Sequence, residues 1–415
     1  MRICVWNIGS TALKFELIEL TDQSLRAQGG LKPFERILAK GKIRRVGSPA
    51  AFVSFSSAVP DAPSRESRTN RAQTIEAGVN LLLERLFESE TLTGFDGIDA
   101  CAFKTVHLQG ANETEGTTRL TPDVLERMAA YNTVAPAHNP PYLAVISACQ
   151  KYLPNVPMVG AFEFAFHQTM PPRAYLYSVP RQWCQEWGIR RYGFHGASHQ
   201  YIAERVAELY PERKDLKLVN AHLGGSSSLC AIRDGKSIDT SMGFSPQEGI
   251  PNATRCGDFD LFAGLWLVER NLLTIEALRE QLCQNGGLAG LSGIAGGSLP
   301  KIRPEAAKGR TDCQETLEAL TYAICKTVGA YAVALEGLEV LVFTGGLGQH
   351  EPALRRWVCD GLAFLGVKLD PSQNNQRRIG EHRISSDESP VAVWVIETHE
   401  EIVVARRALR LLRDS

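Results

Sequence analysis

Three short glycine- and serine-rich turns, each following a β-type run, are the first sign of chemistry in this sequence: Gly9-Ser10-Thr11, Gly224-Gly225-Ser226-Ser227-Ser228 and Gly345-Gly346-Leu347-Gly348. Glycine lets a ligand approach the backbone closely, and successive N–H groups with nearby hydroxyls cradle phosphate oxygens. Each turn alone has the composition of an ordinary hairpin; together they point to phosphate handling. Two familiar phosphate motifs fail on spacing. Gly235-Lys236-Ser237 resembles the end of a P-loop, but the position that must hold the first glycine is Cys230, and Asp234-Gly235 already reads as a hairpin turn. The turn at Gly345 lacks the G-x-G-x-x-G spacing of a dinucleotide fold.

A second constellation is polar residues set in apolar or glycine-rich surroundings: Asn7, Lys14, Lys104, His107, His138, Glu163, His167, His195, His222, Arg255, Asp258 and Glu400. Six of the nine histidines fall between His107 and His222, a density that invites a metal reading. His195 and His199 have the i, i+4 spacing of a helical zinc pair, but the glutamate of H-E-x-x-H is missing and Gly196 follows. A satisfied place in the core is the commoner fate of any one such histidine. The ten cysteines are scattered with no C-x-x-C pair, which fits buried thiols in a reducing compartment better than a zinc or disulfide framework.

These groups must be positioned by an α/β scaffold. Ile3 to Trp6 and Leu13 to Leu20 read as a hairpin, and the pattern recurs as Leu216 to Ala221 and Leu229 to Ile232, which suggests a duplicated two-domain chain. Helical periodicity over Thr74 to Phe87, Pro122 to Tyr131, His199 to Leu209, Leu261 to Val268, Thr274 to Cys283 and Gln314 to Leu335 alternates with strands such as Met158 to Phe162, Val340 to Thr344 and Val391 to Ile396. A basic helix from about Glu400 to Leu412 has an apolar stripe suited to core packing rather than to a membrane surface. Gly286 to Ser298 holds six glycines in thirteen residues without a charge; it reads either as a flexible surface loop or as a loop that lets a ligand approach the backbone. The 415 residues suit two or three domains. With 45 Lys+Arg against 46 Asp+Glu there is no global field to attract nucleic acid, so phosphate chemistry must use local groups. No sufficiently apolar span or signal-peptide core is evident, and the cytoplasm is the expected location.

Taken together, these stretches resemble the acetate kinase (acetokinase) family, part of the superfamily that includes sugar kinases and actin. The resemblance is carried by Asn7 to Lys14, Ala135 to Pro141, Phe166 to Pro172, Arg191 to His199, Asp239 to Gly249, Thr254 to Asp258, Val342 to Gly348 and Glu400 to Ile402, and spans almost the whole chain. It implies a duplicated, actin-like α/β fold with the active site in an interdomain cleft, an N-terminal domain over 1–165, a C-terminal domain over 166–397, and a final helix, 398–415, packed back on the first. It implies phosphoryl transfer between ATP and a short carboxylate with Mg²⁺ or Mn²⁺, and a homodimer. Carried over by position, Arg255 and His195 stabilise the transferring phosphoryl, His138 assists, and Asn7 with Glu400 organises the metal. Val106, Ala137, Phe194 and Pro246 line the acyl pocket. Ser10, Lys14, His222, Gly224, Gly225, Gly345, Gly346 and Gly348 belong to the phosphate and nucleotide side.

The sequence departs from the family pattern at telling places. Lys104 stands where the family has a second active-site arginine and Glu163 where it has the catalytic aspartate, so charge is kept while geometry changes. Ala12 replaces a hydroxyl residue, Gly225 an asparagine, and Gln349-His350 the usual Glu-Asn. Gly297-Ser298-Leu299 falls where the family contacts adenosine through Asp-Phe-Arg, which leaves room for pyrophosphate or another donor, or for a non-catalytic binding protein on the same fold. Ala137 replaces a leucine, which would enlarge the acyl pocket toward propionate.

Overall fold

The computed structural model describes residues 1–9, 12–59, 65–92, 94–112, 114–376 and 380–414. The chain divides into two units, Met1–Gln168 with His399–Ser415, and Thr169–Thr398. In the first unit the apolar β1 (Arg2–Ile8) runs antiparallel to β2 (Ala12–Glu19), followed outward by β3 (Arg36–Arg44), β4 (Ala51–Ser57) and β5 (Arg65–Thr69). On its other side β1 pairs in parallel with β6 (Ala100–Phe103), and the sheet ends in β8 (Met158–Ala161) and the short β7 (Thr117–Arg119). The parallel strands are buried throughout, as strands covered on both faces must be.

The second unit repeats this order on a smaller scale. β9 (Lys217–His222) is antiparallel to β10 (Ser228–Arg233), which turns through Asp234-Gly235, both at positive φ, into β11 (Lys236–Thr240). On its other side β9 is parallel to β12 (Val340–Thr344), which is parallel to β14 (Ala392–Val395), with β13 (His382–Arg383) at the edge. Antiparallel, antiparallel, parallel, parallel is thus the order around both β1 and β9, and the duplication suggested by the two hairpins is present in the sheets. The buried face of the long helix Thr311–Ala334 packs its Leu317, Leu320, Ile324 and Val328 into the core of this unit.

The closing helix, Glu400–Arg413, shows why a basic segment belongs in a core. Arg406 is 1% exposed and forks onto Glu35 at 2.9 and 2.7 Å, while also donating to Gly29 O and Gly30 O. Arg410 donates to Leu25 O and Ala27 O, so the arginines satisfy carbonyls of the 25–35 segment. The same contact holds the Glu35 carboxyl below its ordinary range: burial works the other way, and the hydrogen bonds from Arg406 and Lys32 outweigh it.

The glycine-rich segment is largely helical rather than a bare loop. Residues Gly287–Ser292 make a helix, and Leu288 and Ala289 donate their N–H groups to Asn252 O and Ala253 O. Gly297, at φ +58°, lies so close to Ala253 O that a Cβ there would sit 1.9 Å away. Gly286, Gly287, Gly290 and Gly297 therefore serve backbone-to-backbone packing, whereas Gly293 faces the Arg310 side chain and Gly296 leaves open space. Among the described residues no helix is long and apolar enough to cross a membrane.

Candidate active site

In the first unit, β1 and β6 run side by side in parallel, and the charged candidates emerge just beyond their C-terminal ends. Lys104 follows β6 and Glu163 follows β8; Glu400 opens the final helix. The Lys104 ammonium donates to Glu400 Oε2 at 3.0 Å and lies 3.8 Å from Glu163 Oε2. All three side chains are nearly buried, at 13%, 10% and 3% exposure. Burial alone would lower the ammonium, but the charges of Glu163 and Glu400 more than offset this and hold Lys104 above its ordinary value. Asn7 at the end of β1 donates through Nδ2 to Glu401 Oε1 at 3.0 Å, and its Oδ1 accepts from the Tyr142 hydroxyl at 3.3 Å. Tyr142, 1% exposed, also accepts from Ile8 N–H, and its phenol feels Lys104, Glu163 and Glu400. Two carboxylates and an amide oxygen are hard oxygen donors of the kind Mg²⁺ takes. No group of three or more His, Cys, Asp or Glu that could hold a metal ion is present among the described residues.

His138 sits before the helix Asn139–Tyr152, half-buried, and Ala137 precedes it. This turn is locked to the segment after β6, because Asn139 exchanges hydrogen bonds with the backbone of His107 and donates to Met128 O. Val106, 5% exposed, lies in the strip so locked. Lys14 is exposed on β2, opposite Asn7 in register. Ser10 and Thr11 lie outside the described residues.

The second unit holds the other candidates. His195 occupies the left-handed region, φ +55° and ψ +28°, at the start of the helix Gly196–Leu209. A non-glycine residue there carries strain of about 1–3 kcal/mol that its surroundings must offset. Its Nδ1 is 2.8 Å from Ser228 Oγ, and its ring stacks on His222 with centroids 4.4 Å apart. His222 Nδ1 is in turn 2.8 Å from Ser198 Oγ. Tyr192 and Gly193 donate to Gly243 O, which ties the segment carrying Phe194 to the loop carrying Pro246.

Arg255 is 6% exposed; its Nη1 donates to Ser226 Oγ at 2.9 Å and to Pro246 O at 3.4 Å. Burial pushes this guanidinium down to about 10, so it stays charged at neutral pH while burial penalises that charge, and an anion beside it would favour the charged form. The glycine turns are joined. Leu347 and Gly348 donate their N–H groups to Leu223 O, beside Gly224 and Gly225, and Leu223 N–H donates to Thr344 O. Gly345, at φ +75°, allows this approach, since a Cβ there would meet Leu223 O at 2.6 Å. Rather than a bare turn, Gly345–His350 forms a short helix. Around Gly346 and Gly225 a Cβ would meet nothing within 4 Å, so both leave open space.

Several roles within these clusters escape a reading of the sequence. Tyr142 and Glu401 fix Asn7, while Ser228, His199 and Asn220 bond in series behind His195. Arg355, 2% exposed, clamps Gly348 O and Gln349 O to Asn374. Gln247 has both amide atoms buried without a hydrogen-bond partner among the described residues. A signal was present for Asn220, the one amide inside the otherwise apolar centre of β9, and for Arg355, a cation in an apolar helix stripe. Ser228 already stands in the second glycine–serine turn, and Tyr142 gives none.

The chain matches the family model described as "Acetokinase family" over residues 2–406. An acetate kinase of Coprothermobacter proteolyticus is 37% identical over 415 residues, covering 100% of this chain and 99% of that protein. The crystal structure of Porphyromonas gingivalis acetate kinase superposes with a TM-score of 0.81 at 32% identity, covering 99% of both chains. A propionate kinase from Francisella tularensis superposes with a TM-score of 0.84 at 28% identity, covering 98% of both. On full-length sequence similarity and on fold, this chain belongs to the acetokinase family.

Proposed function

We propose that this protein is a carboxylate kinase, transferring a phosphoryl group between ATP and acetate or a similarly short carboxylate to form or consume an acyl phosphate. A carboxylate is ionised at neutral pH and needs no general base, so catalysis rests on alignment and on cations around the equatorial phosphoryl oxygens. In the forward direction a carboxylate oxygen attacks the γ-phosphorus, the bond to the β,γ-bridging oxygen breaks, and ADP leaves with that electron pair. The observation that carries the reading is Arg255, a buried cation 6% exposed and bonded to the hydroxyl of a glycine–serine turn, placed where a phosphoryl oxygen can meet its charge.

In this reading Arg255 and His195 hold the phosphoryl oxygens, with Lys104 as a further cation held in place by Glu163 and Glu400, and His138 assists. The joined turns at Gly224-Gly225 and Gly345–Gly348, with Ser10, Lys14 and His222, serve the donor's phosphates. Val106, Ala137, Phe194 and Pro246 serve the acyl group. Asn7 and Glu400, with Glu163 close by, would hold Mg²⁺ or Mn²⁺, which when bound supplies charge neutralisation on the donor phosphates. The ten free cysteines are in keeping with a cytoplasmic location.

A homodimer is part of the same proposal, supported by the helix Leu261–Glu269 and its flanks. There Phe259, Leu261, Phe262, Trp266, Leu272 and Ile275 are 46% to 76% exposed, an apolar surface of the kind that associates. A second donor reading, pyrophosphate, is favoured by Gly297-Ser298-Leu299: Gly297 is packed against backbone and Leu299 is 1% exposed, so neither offers a ring or guanidinium to a base. Both readings are tested by trapping acyl phosphate as the hydroxamate with acetate, propionate or butyrate against ATP, GTP and pyrophosphate. Hydroxamate with ATP supports the first; hydroxamate with pyrophosphate alone replaces it by the second; none from folded protein with any pair refutes both.

A further inference from the structure

Behind His195 the structure places three hydrogen-bonding side chains in series. His195 Nδ1 is 2.8 Å from Ser228 Oγ, Ser228 Oγ is 2.8 Å from His199 Nε2, and His199 Nδ1 is 2.8 Å from Asn220 Nδ2. Ser228, His199 and Asn220 are each 0% exposed. Local geometry explains the alignment. Asn220 and His222 are two apart on β9 and face the same side, Ser228 on β10 is directly opposite His222, and His195 and His199 are one helical turn apart.

The direction of each proton follows from satisfaction. With its amide nitrogen toward His199, Asn220 leaves one buried carbonyl oxygen without a partner; flipped, it would leave a whole buried NH₂ without one. An orphaned acceptor is the lesser cost. Asn220 therefore donates to His199 Nδ1, which puts the proton of His199 on Nε2. That proton goes to Ser228 Oγ. Ser228, 0% exposed and with a single hydroxyl proton, gives that proton to His195 Nδ1.

We propose that Asn220, His199 and Ser228 are a positioning relay that sets the tautomer of His195, with the lone pair on Nδ1 engaged and the proton on Nε2. An imidazole so preset offers an N–H, not a lone pair, to whatever it faces. Given the reading that His195 acts on the transferring phosphoryl, this is the tautomer that donates to an anionic oxygen without first moving a proton. The relay also helps to hold the strained φ +55° backbone, because the ring is bonded on one edge and stacked on His222.

The test is ¹⁵N NMR of histidine-labelled full-length protein, paired with kinetics. His195 is expected to show a protonated Nε2 and a hydrogen-bonded, unprotonated Nδ1. Ser228→Ala should move the His195 Nδ1 resonance toward that of an imine nitrogen lacking a donor, and lower kcat about 10- to 100-fold with KM for both substrates little changed. His199→Gln keeps an acceptor for Asn220 and a donor for Ser228 and should retain kcat within about tenfold, whereas His199→Leu should lose as much as Ser228→Ala. A proton on Nδ1 in the native protein overturns the relay, as does Ser228→Ala with an unmoved resonance and unchanged kcat. If a variant does not fold, the native tautomer alone decides. Full activity of His195→Ala would instead remove the phosphoryl role of His195 and leave the spectrum to judge the relay.

Discussion

Removing the Lys104 ammonium tests the charge arrangement of the first unit. At effective dielectric constants of about 20, ion pairs of this separation have gross attractions of about 4–6 kcal/mol each. Desolvation of all three groups offsets much of that, so the informative quantity is what Lys104→Met leaves behind: Glu163 and Glu400, two carboxylates at 3% and 10% exposure, with their shared cation gone. Breaking a buried pair from one side costs about 3–5 kcal/mol. With an m-value of about 2 kcal/mol/M in urea, the transition that reports on this unit should move down by about 1.5–2.5 M at pH 8. Protonating one carboxylate relieves the repulsion, so the deficit should shrink as pH falls toward 5. The native protein should show no such trend from Lys104. Its folded-state value is raised, so its contribution is complete below the unfolded value of about 10.4 and is lost only at higher pH. Urea titrations at pH 8 and pH 5.5 measure both effects. A shift below about 0.5 M, or one equal at the two pH values, would refute the claim that Lys104 neutralises this pair.

Four further outcomes follow from the site. Lys104→Arg and Glu163→Asp should each lower kcat by about tenfold or more while the double substitution recovers most of it, a coupling of about 1–3 kcal/mol in a double-mutant cycle; strict additivity would show the two are independent. Because burial pushes Arg255 down to about 10, kcat/KM should fall on an alkaline limb near pH 10 and the limb in kcat should lie higher, since bound phosphate favours the charged guanidinium; coincident limbs would contradict this. Ala137→Leu should favour acetate over butyrate by about 10-fold or more in kcat/KM, and an unchanged ratio would remove Ala137 from the acyl pocket. Phe262→Glu, at a side chain 76% exposed, should convert a dimer to monomers in light scattering, and a monomeric native protein would end that proposal.

How far the sequence reveals this molecule differs between elements. Both hairpins, the helix Pro122–Ala130 and the strand Val340–Thr344 are legible because apolar periodicity and caps agree with the fold. The strands β3, β4 and β5 are not: burial alternates along β3 and β4, but the residues do not, since Gly41 holds a buried position, Phe52 a partly exposed one, and β3 and β5 carry the exposed Arg36, Lys40 and Arg68. Gly286 to Ser298 misleads because its helix is stabilised by backbone contacts with Asn252 and Ala253, which no local pattern encodes. At the site the charged residues stand out singly, as Lys104, Glu163, Arg255 and Glu400 do. Their arrangement does not: that Lys104 lies against both glutamates, and that Ser228 lies between two histidines, is fixed by sheet register and helix packing.

The most direct test of carboxylate kinase activity is the reaction run backwards and watched by ³¹P NMR, with acetyl phosphate, ADP and Mg²⁺ added to folded protein. The acyl-phosphate resonance should decay while the γ-phosphate resonance of ATP grows in equal amount. Acetyl phosphate that stays intact, or that decays to inorganic phosphate with no ATP formed, would contradict that activity.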